Sequence, residues 1–329
     1  MRNAVIISSG AYAPERVLDN LFFNELLGED VDSWLRVNVE IFERRWCSSE
    51  QSTADLCEHA AILCLKNASL DPESIDLIII ATDTPEYISP STAAIIQDRI
   101  KAVNAGTFDI NTACAGFVTA LDMASKYIQA DDSYRNVLVI GGYAMSKYLN
   151  MADKKTVTLF ADGAGAVLLQ AQETETSGQL VSMLKTKGEF NEWMGIYGGG
   201  SKYPVTAERI SRHEHQLAFV RKFPKELNAE VWTAMIEEMC LKAKISPDNI
   251  SHYILTQINV HTIRETMDRL NQAHEKAVEI MHNFGYTGSA CIPMAFHTLM
   301  ESGKINKGDI ICFLGSGGGL AFAGTIFRY

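Results

Sequence analysis

Apolar positions along this chain follow two alternating rhythms. Runs at 77–81, 137–140 and 310–314 are apolar without a break, which predicts short strands buried on both faces. Between them, stretches such as 117–128 place apolar residues at helical spacing. Short covered strands alternating with amphipathic helices predict an α/β protein built in layers.

The pattern then repeats itself. Leu65-Lys-Asn-Ala-Ser-Leu-Asp-Pro-Glu-Ser-Ile-Asp-Leu-Ile-Ile-Ile is matched by Leu241-Lys-Ala-Lys-Ile-Ser-Pro-Asp-Asn-Ile-Ser-His-Tyr-Ile-Leu. Each copy reads as a helix end, a Pro-containing turn and a strand. A second helix follows each, at 91–100 and 261–270. Next, the turn 108–114 is answered by 283–289, the buried strand 136–142 by 309–315, and the Gly-rich strand 162–169 by 317–327. The same order of elements in both copies predicts two duplicated halves, 1–171 and 172–329. Residues 172–227 fit neither copy and are expected to be a mobile insertion covering the cleft between them. A pseudo-twofold relation would bring Cys114 to face the loops at 256–259 and 284–289 across that joint, where ligand sites concentrate.

Composition narrows the functional class. The 329 residues carry a net charge of −11, against a broad nucleic-acid surface. No apolar run is long enough to span a bilayer, and the first residues read as a strand rather than a signal peptide. The seven cysteines are odd in number, contain no CxxC pair and lie mostly in apolar contexts. A reduced, cytoplasmic protein without a zinc site or disulfide framework is expected.

The candidate chemistry centres on Asp109-Ile-Asn-Thr-Ala-Cys-Ala-Gly-Phe117, which places Cys114 where a strand ends and a helix begins. A sulfur there sits near unpaired backbone N–H groups, which favour the thiolate. Small neighbours leave room for a substrate. The residue type also suits a buried structural cysteine.

These elements together resemble the thiolase superfamily, specifically the β-ketoacyl-ACP synthase III branch, over nearly the whole chain. The marks are Asp32-Ser-Trp34, Ile41-Phe-Glu-Arg-Arg45, Ala81-Thr-Asp-Thr-Pro-Glu-Tyr87, Pro90-Ser-Thr92, Asn111-Thr-Ala-Cys-Ala-Gly-Phe117, Leu159-Phe-Ala-Asp-Gly-Ala-Gly-Ala166 and Gly315-Ser-Gly-Gly-Gly319. The resemblance implies a five-layered αβαβα fold and an acyl group carried on Cys114. It implies no tightly bound cofactor, with a CoA or phosphopantetheine thioester as substrate. The implied partners are acyl-CoA or acyl carrier protein, and a second subunit in a homodimer or a related heterodimer. The segment 87–96 would reach that subunit's acyl pocket. Neither nucleic acid nor a membrane is implied.

The family's usual site is Cys-His-Asn. The match gives Cys114 for the nucleophile, but Thr256-Gln-Ile-Asn259 stands where the histidine motif belongs, and Tyr286 stands in the asparagine position. The family's oxyanion hole maps to the N–H groups of Cys114 and of Ser316 or a neighbour. Its CoA groove maps to Trp34 and Lys154, with Asn38 replacing an arginine and His261 replacing another that docks the carrier protein. Asn259 completes the substrate-binding set. His213 and His215 on the insertion, and His297, are further histidines, the last expected to be packed. Losing an oxyanion donor typically reduces rates on the order of 10²–10³, and neither hydroxyl replaces a histidine base. The expectation is an acyltransferase that loads Cys114 and passes the acyl group to an acceptor other than decarboxylating malonyl-ACP. Two alternatives stand beside it: conventional β-ketoacyl synthesis with Thr256 and Tyr286 as altered donors, and a weakly active structural partner in a heterodimer.

Overall fold

The computed structural model describes residues 2–329. Two sheets carry the fold. In the first half the strands are β1 (Arg2–Tyr12), β2 (Leu77–Ala81), β3 (Gly106–Ile110), β4 (Asn136–Ala144) and β5 (Asp162–Glu173). The second half contributes β6 (Gly178–Thr186), β7 (His252–Leu255), β8 (Ile310–Gly317) and β9 (Ala321–Arg328). The main helices are α1 (Thr53–Ala68), α2 (Thr92–Arg99), α3 (Gly116–Ala130), α4 (Leu227–Ala243), α5 (Val260–Arg269) and α6 (Cys291–Glu301).

The first sheet runs β1-β5-β4-β2-β3 and the second β6-β9-β8-β7, the same order with its last strand missing. That fifth strand survives as a parallel bridge between Tyr253 and Ala277, with the Val278 N–H donating to Tyr253 O at 2.9 Å. In both sheets a central parallel pair (β2–β4, β7–β8) is followed by two antiparallel neighbours. The two duplicated halves expected from the repeat, and the five-layered αβαβα fold implied by the resemblance, are thus present.

Side-chain alternation builds the layers. In β2, Ile78 and Ile80 join one buried cluster with α1, while Leu77, Ile79 and Ala81 join a second cluster with α3. Both faces of the strand are covered, so its apolar run has no polar side. Helices α3 and α6 contact both sheets and form the middle layer. Helices α1 and α2 cover the first sheet from outside; α4 covers the second, with α5 packed against α4.

The insertion is narrower than expected. Gly178–Thr186 pairs antiparallel with β9, Ala321 opposite Thr186, and is the second sheet's edge strand. The excursion therefore spans 187–226. It holds a two-stranded ribbon, Met194–Ile196 with Leu217–Phe219, and an aromatic cluster in which Trp193 stacks on Phe223 at 5.6 Å.

Candidate active site

The strand-to-helix turn that presents Cys114 is built by short-range bonds. Asn111 Oδ1 accepts the Ala113 N–H at 3.0 Å, and the Gly116 N–H donates to Ala113 O at 2.9 Å. Ala113 takes a left-handed conformation, φ 48°, which turns the chain sharply before the cysteine. Cys114 lies two residues before the first helical residue, Gly116. The end of β8 presses against this turn: a Cβ on Gly317 would lie 2.4 Å from Cys114 N, so only glycine permits the approach.

Cys114 is 3 % exposed, and the opening it has is into a cavity of about 230 Å³. Asp83, Asn111, Tyr143, Tyr197, Gly318 and Gly319 line that cavity beside it. No histidine, lysine or arginine is among the described residues lining it. A larger cavity, about 690 Å³, adjoins it, and Phe160 and Met194 belong to the walls of both. Phe160 is fixed by its carbonyl, which accepts the Trp46 Nε1–H at 3.0 Å. Met194 comes from the excursion 187–226, which thereby contributes to the walls of both cavities.

Trp34 and Lys154 both line the larger cavity. Trp34 is 53 % exposed, excluding a core role. Lys154 Nζ pairs with Glu29 at 2.9 Å, leaving Lys155 and Lys222 as further cations of the same groove. Asn38 is turned away, donating to Trp34 O at 2.9 Å. Asn259 and His261 line neither cavity. Asn259 Oδ1 caps α5 by accepting the His261 N–H at 2.9 Å, and His261 Nε2 lies 3.2 Å from Val37 O. His213 and His215 also line neither cavity. His297 is packed, its Nδ1 3.0 Å from Ser9 Oγ.

The structure separates the two hydroxyls read as histidine and asparagine replacements. Tyr286 is buried and also lines neither cavity, but it neighbours Cys114 closely enough for a side-chain hydrogen bond that favours the thiolate. The Tyr286 backbone is held by a bridge to Phe160, with the Ala161 N–H donating to Tyr286 O at 2.9 Å. Thr256 is buried and turned elsewhere: its Oγ1 accepts the Ser316 N–H at 2.8 Å. This contact corrects two expectations at once. Thr256 does not line the cavity, and the Ser316 N–H already has an acceptor, so the Gly-rich residues open to the cavity are Gly318 and Gly319.

A third correction concerns charge. Burial and the facing Asp83 push the Cys114 thiol well above its ordinary range, while the Tyr286 hydrogen bond pulls it down. The helix start is present, but desolvation outweighs it, so the resting sulfur is a thiol. Asp83 was missed by the sequence reading. It follows β2 in a turn fixed by its neighbours, where the Thr82 N–H donates to Ile110 O at 3.1 Å and Thr84 Oγ1 accepts the Ala144 N–H at 2.9 Å. Its Oδ1 is buried without a hydrogen-bond partner, and burial pushes its acid up to about 6.

Comparison with known proteins places this arrangement. Residues 108–188 match the model for 3-oxoacyl-[acyl-carrier-protein] synthase III, and residues 240–329 match the model for its C-terminal part. The chain belongs to the synthase III family. It is similar to a β-ketoacyl-[acyl-carrier-protein] synthase III of Clostridioides difficile, 34 % identical over 99 % of this chain and 98 % of that one. A Clostridium perfringens protein of the same name is 35 % identical, with both chains covered in full. The crystal structure of 3-oxoacyl-[acyl-carrier-protein] synthase III from Aquifex aeolicus superposes with a TM-score of 0.89 at 32 % identity, covering 99 % of this chain and 100 % of that chain. As a synthase III family member the chain is an acyl-transferring, condensing enzyme. No helix among the described residues is long and apolar enough to cross a membrane.

Proposed function

We propose that this acyltransferase carries its acyl group as a thioester on Cys114. The donor is an acyl-CoA or acyl-ACP whose arm lies in the Trp34–Lys154 groove, and the acceptor is not a decarboxylating malonyl-ACP. The observation that carries the reading is the lining of the Cys114 cavity, which holds a carboxylate, Asp83, and no basic side chain. Malonyl decarboxylation would bring a second carboxylate into that space and leave an enolate charge beside a still-ionised Asp83. At short range in a low-dielectric site, such repulsion amounts to several kcal/mol. Loading makes smaller demands. The Cys114 sulfur, its thiolate character supported by the Tyr286 hydroxyl, attacks the incoming thioester; the C–S bond to the carrier breaks, and the proton from Cys114 passes to the carrier sulfur, which leaves as the thiol.

The groove suits an elongated, partly anionic arm. Trp34 offers an open aromatic face, and Lys155 and Lys222 remain to meet phosphate as point charges. No tightly bound cofactor enters the scheme. We also infer a dimer, homomeric or with a related chain. β3 is the free edge of the first sheet, and Ile88 beside it is 88 % exposed, an unusual state for a large apolar side chain next to an open strand.

The test is intact-mass analysis after incubation with a panel of acyl-CoA and acyl-ACP donors. A stable adduct on the wild type, absent in Cys114→Ala, supports the reading; its absence across the panel overturns it. Brisk CO₂ release from malonyl-ACP by the acylated enzyme would instead establish conventional β-ketoacyl synthesis.

A further inference from the structure

Asp83 is a carboxylate with a buried, unpartnered Oδ1 in the same 230 Å³ cavity as the Cys114 sulfur. The residue is half-buried and its own backbone N–H supports the carboxylate, but a buried Oδ1 without a donor is unfavourable, and the turn that holds it is braced by Thr82 and Thr84 rather than left to relax. The titratable groups that feel its charge are Cys114, Tyr143 and Tyr148, none of them a cation at neutral pH. A carboxylate in this state is a proton acceptor that lacks a proton to accept, and the thioester on Cys114 would lie beside it.

We propose that Asp83 is the general base of the transfer step, and that the acceptor is a carbon acid, a CH₂ flanked by two carbonyl groups. Amines need no side-chain base to begin attack, and a hydroxyl is too weak an acid for a carboxylate. An activated carbon lies between. Asp83 takes the C–H proton, leaving an enolate whose oxygen meets the Tyr143 phenol, a wall of the same cavity. The enolate carbon attacks the thioester carbonyl, a C–C bond forms, the C–S bond breaks and Cys114 leaves as thiolate. The proton on Asp83 then passes to that sulfur, whose buried thiol holds it more firmly than the carboxylate does. The cycle closes without oxidant or decarboxylation. Burial that sets Asp83 at about 6 and keeps the Tyr143 phenol protonated fits both roles.

The condensation rests on the reading of Cys114 as acyl carrier; the proton abstraction does not, and this separates their tests. The probe is acetoacetyl-CoA in D₂O, with C2–H exchange followed by NMR against a protein-free control. Wild type and Cys114→Ala, which cannot carry an acyl group, are both expected to exchange above that control. In Cys114→Ala the rate should rise with pH to a plateau above about 6. Asp83→Asn should exchange on the order of 100-fold more slowly, with acetoacetyl-CoA binding intact by calorimetry, and Asp83→Glu should recover part of the loss. Exchange by Asp83→Asn at the wild-type rate, or no protein-dependent exchange at all, overturns the proposal. Asp83-dependent exchange with no acyl adduct on Cys114 would leave it standing and remove the carrier reading instead. An adduct with Asp83-independent exchange would do the reverse.

Discussion

Thr256 Oγ1 accepts the backbone N–H of Ser316 at 2.8 Å and ties the end of β7 to the Gly-rich end of β8. Both residues are buried. The hydroxyl braces the strand end that presses on the Cys114 turn and does not open into the cavity. Thr256→Val keeps the shape and strands the Ser316 N–H, which should destabilise the protein by about 1–3 kcal/mol. Chemical denaturation would show the lower midpoint, while folded Thr256→Val should still load Cys114. Lost loading at unchanged stability would return Thr256 to the chemistry.

Tyr286 is the opposite case, since its hydroxyl acts on the sulfur. Tyr286→Phe removes the hydrogen bond that favours the thiolate, so the Cys114 thiol should move further up. Hydrogen bonds to charged groups contribute about 1.5–3 kcal/mol, so alkylation of Cys114 by iodoacetamide at pH 7.5 should slow about tenfold or more. Intact-mass time courses measure this directly. An unchanged rate would show that the phenol does not control the sulfur.

The halves and the cysteine turn were legible because their signals are local. The covered strand 77–81, the Pro turns and the small residues around Cys114 each leave a mark within a few positions of sequence. Strand β6 was not, because only two of its nine residues are buried at the sheet edge and it shows no continuous apolar run. The resting state of Cys114 was misjudged for a related reason. A helix start is visible in the sequence, but the desolvation that outweighs it depends on Tyr143, Phe160 and the strand β8, all distant along the chain. Asp83 was quoted only as part of a motif. Its lack of a partner is a property of the folded cavity, and nothing in Thr82-Asp83-Thr84 announces it.

The groove can be tested apart from the cysteine. Trp34 is half-exposed and lines the larger cavity but not the one that holds the sulfur, so Trp34→Ala should weaken donor binding without altering the chemical step. Stacking on one aromatic face contributes about 1–3 kcal/mol. The KM for acyl-CoA in the loading reaction should therefore rise about tenfold, with the limiting rate retained. A fall in the limiting rate alone would place the donor elsewhere.

The free edge of β3 sets the prediction for assembly. Ile88 is 88 % exposed and Tyr87 58 %, next to a strand with no partner on its outer side. Ile88→Glu should shift a dimer towards monomer in sedimentation velocity at micromolar concentration, because a buried unpaired carboxylate is strongly disfavoured. Wild-type protein that sediments as a monomer would remove the interface.

Asp83 also predicts an unusual pH dependence of stability. Its acid lies at about 6 in the folded protein against an ordinary 3.8. The folded state therefore binds this proton more tightly than the unfolded chain. Above pH 6 the ionised carboxylate opposes folding, and the penalty fades as pH falls from 6 towards 3.8. Asp83→Asn should thus be more stable than wild type by about 1–3 kcal/mol at pH 8, with the difference shrinking towards pH 4. Paired thermal unfolding curves at the two pH values would show it. A structural aspartate would behave in the other direction, losing stability on substitution. Gain of stability together with loss of proton abstraction is what a strained functional group gives when it is removed.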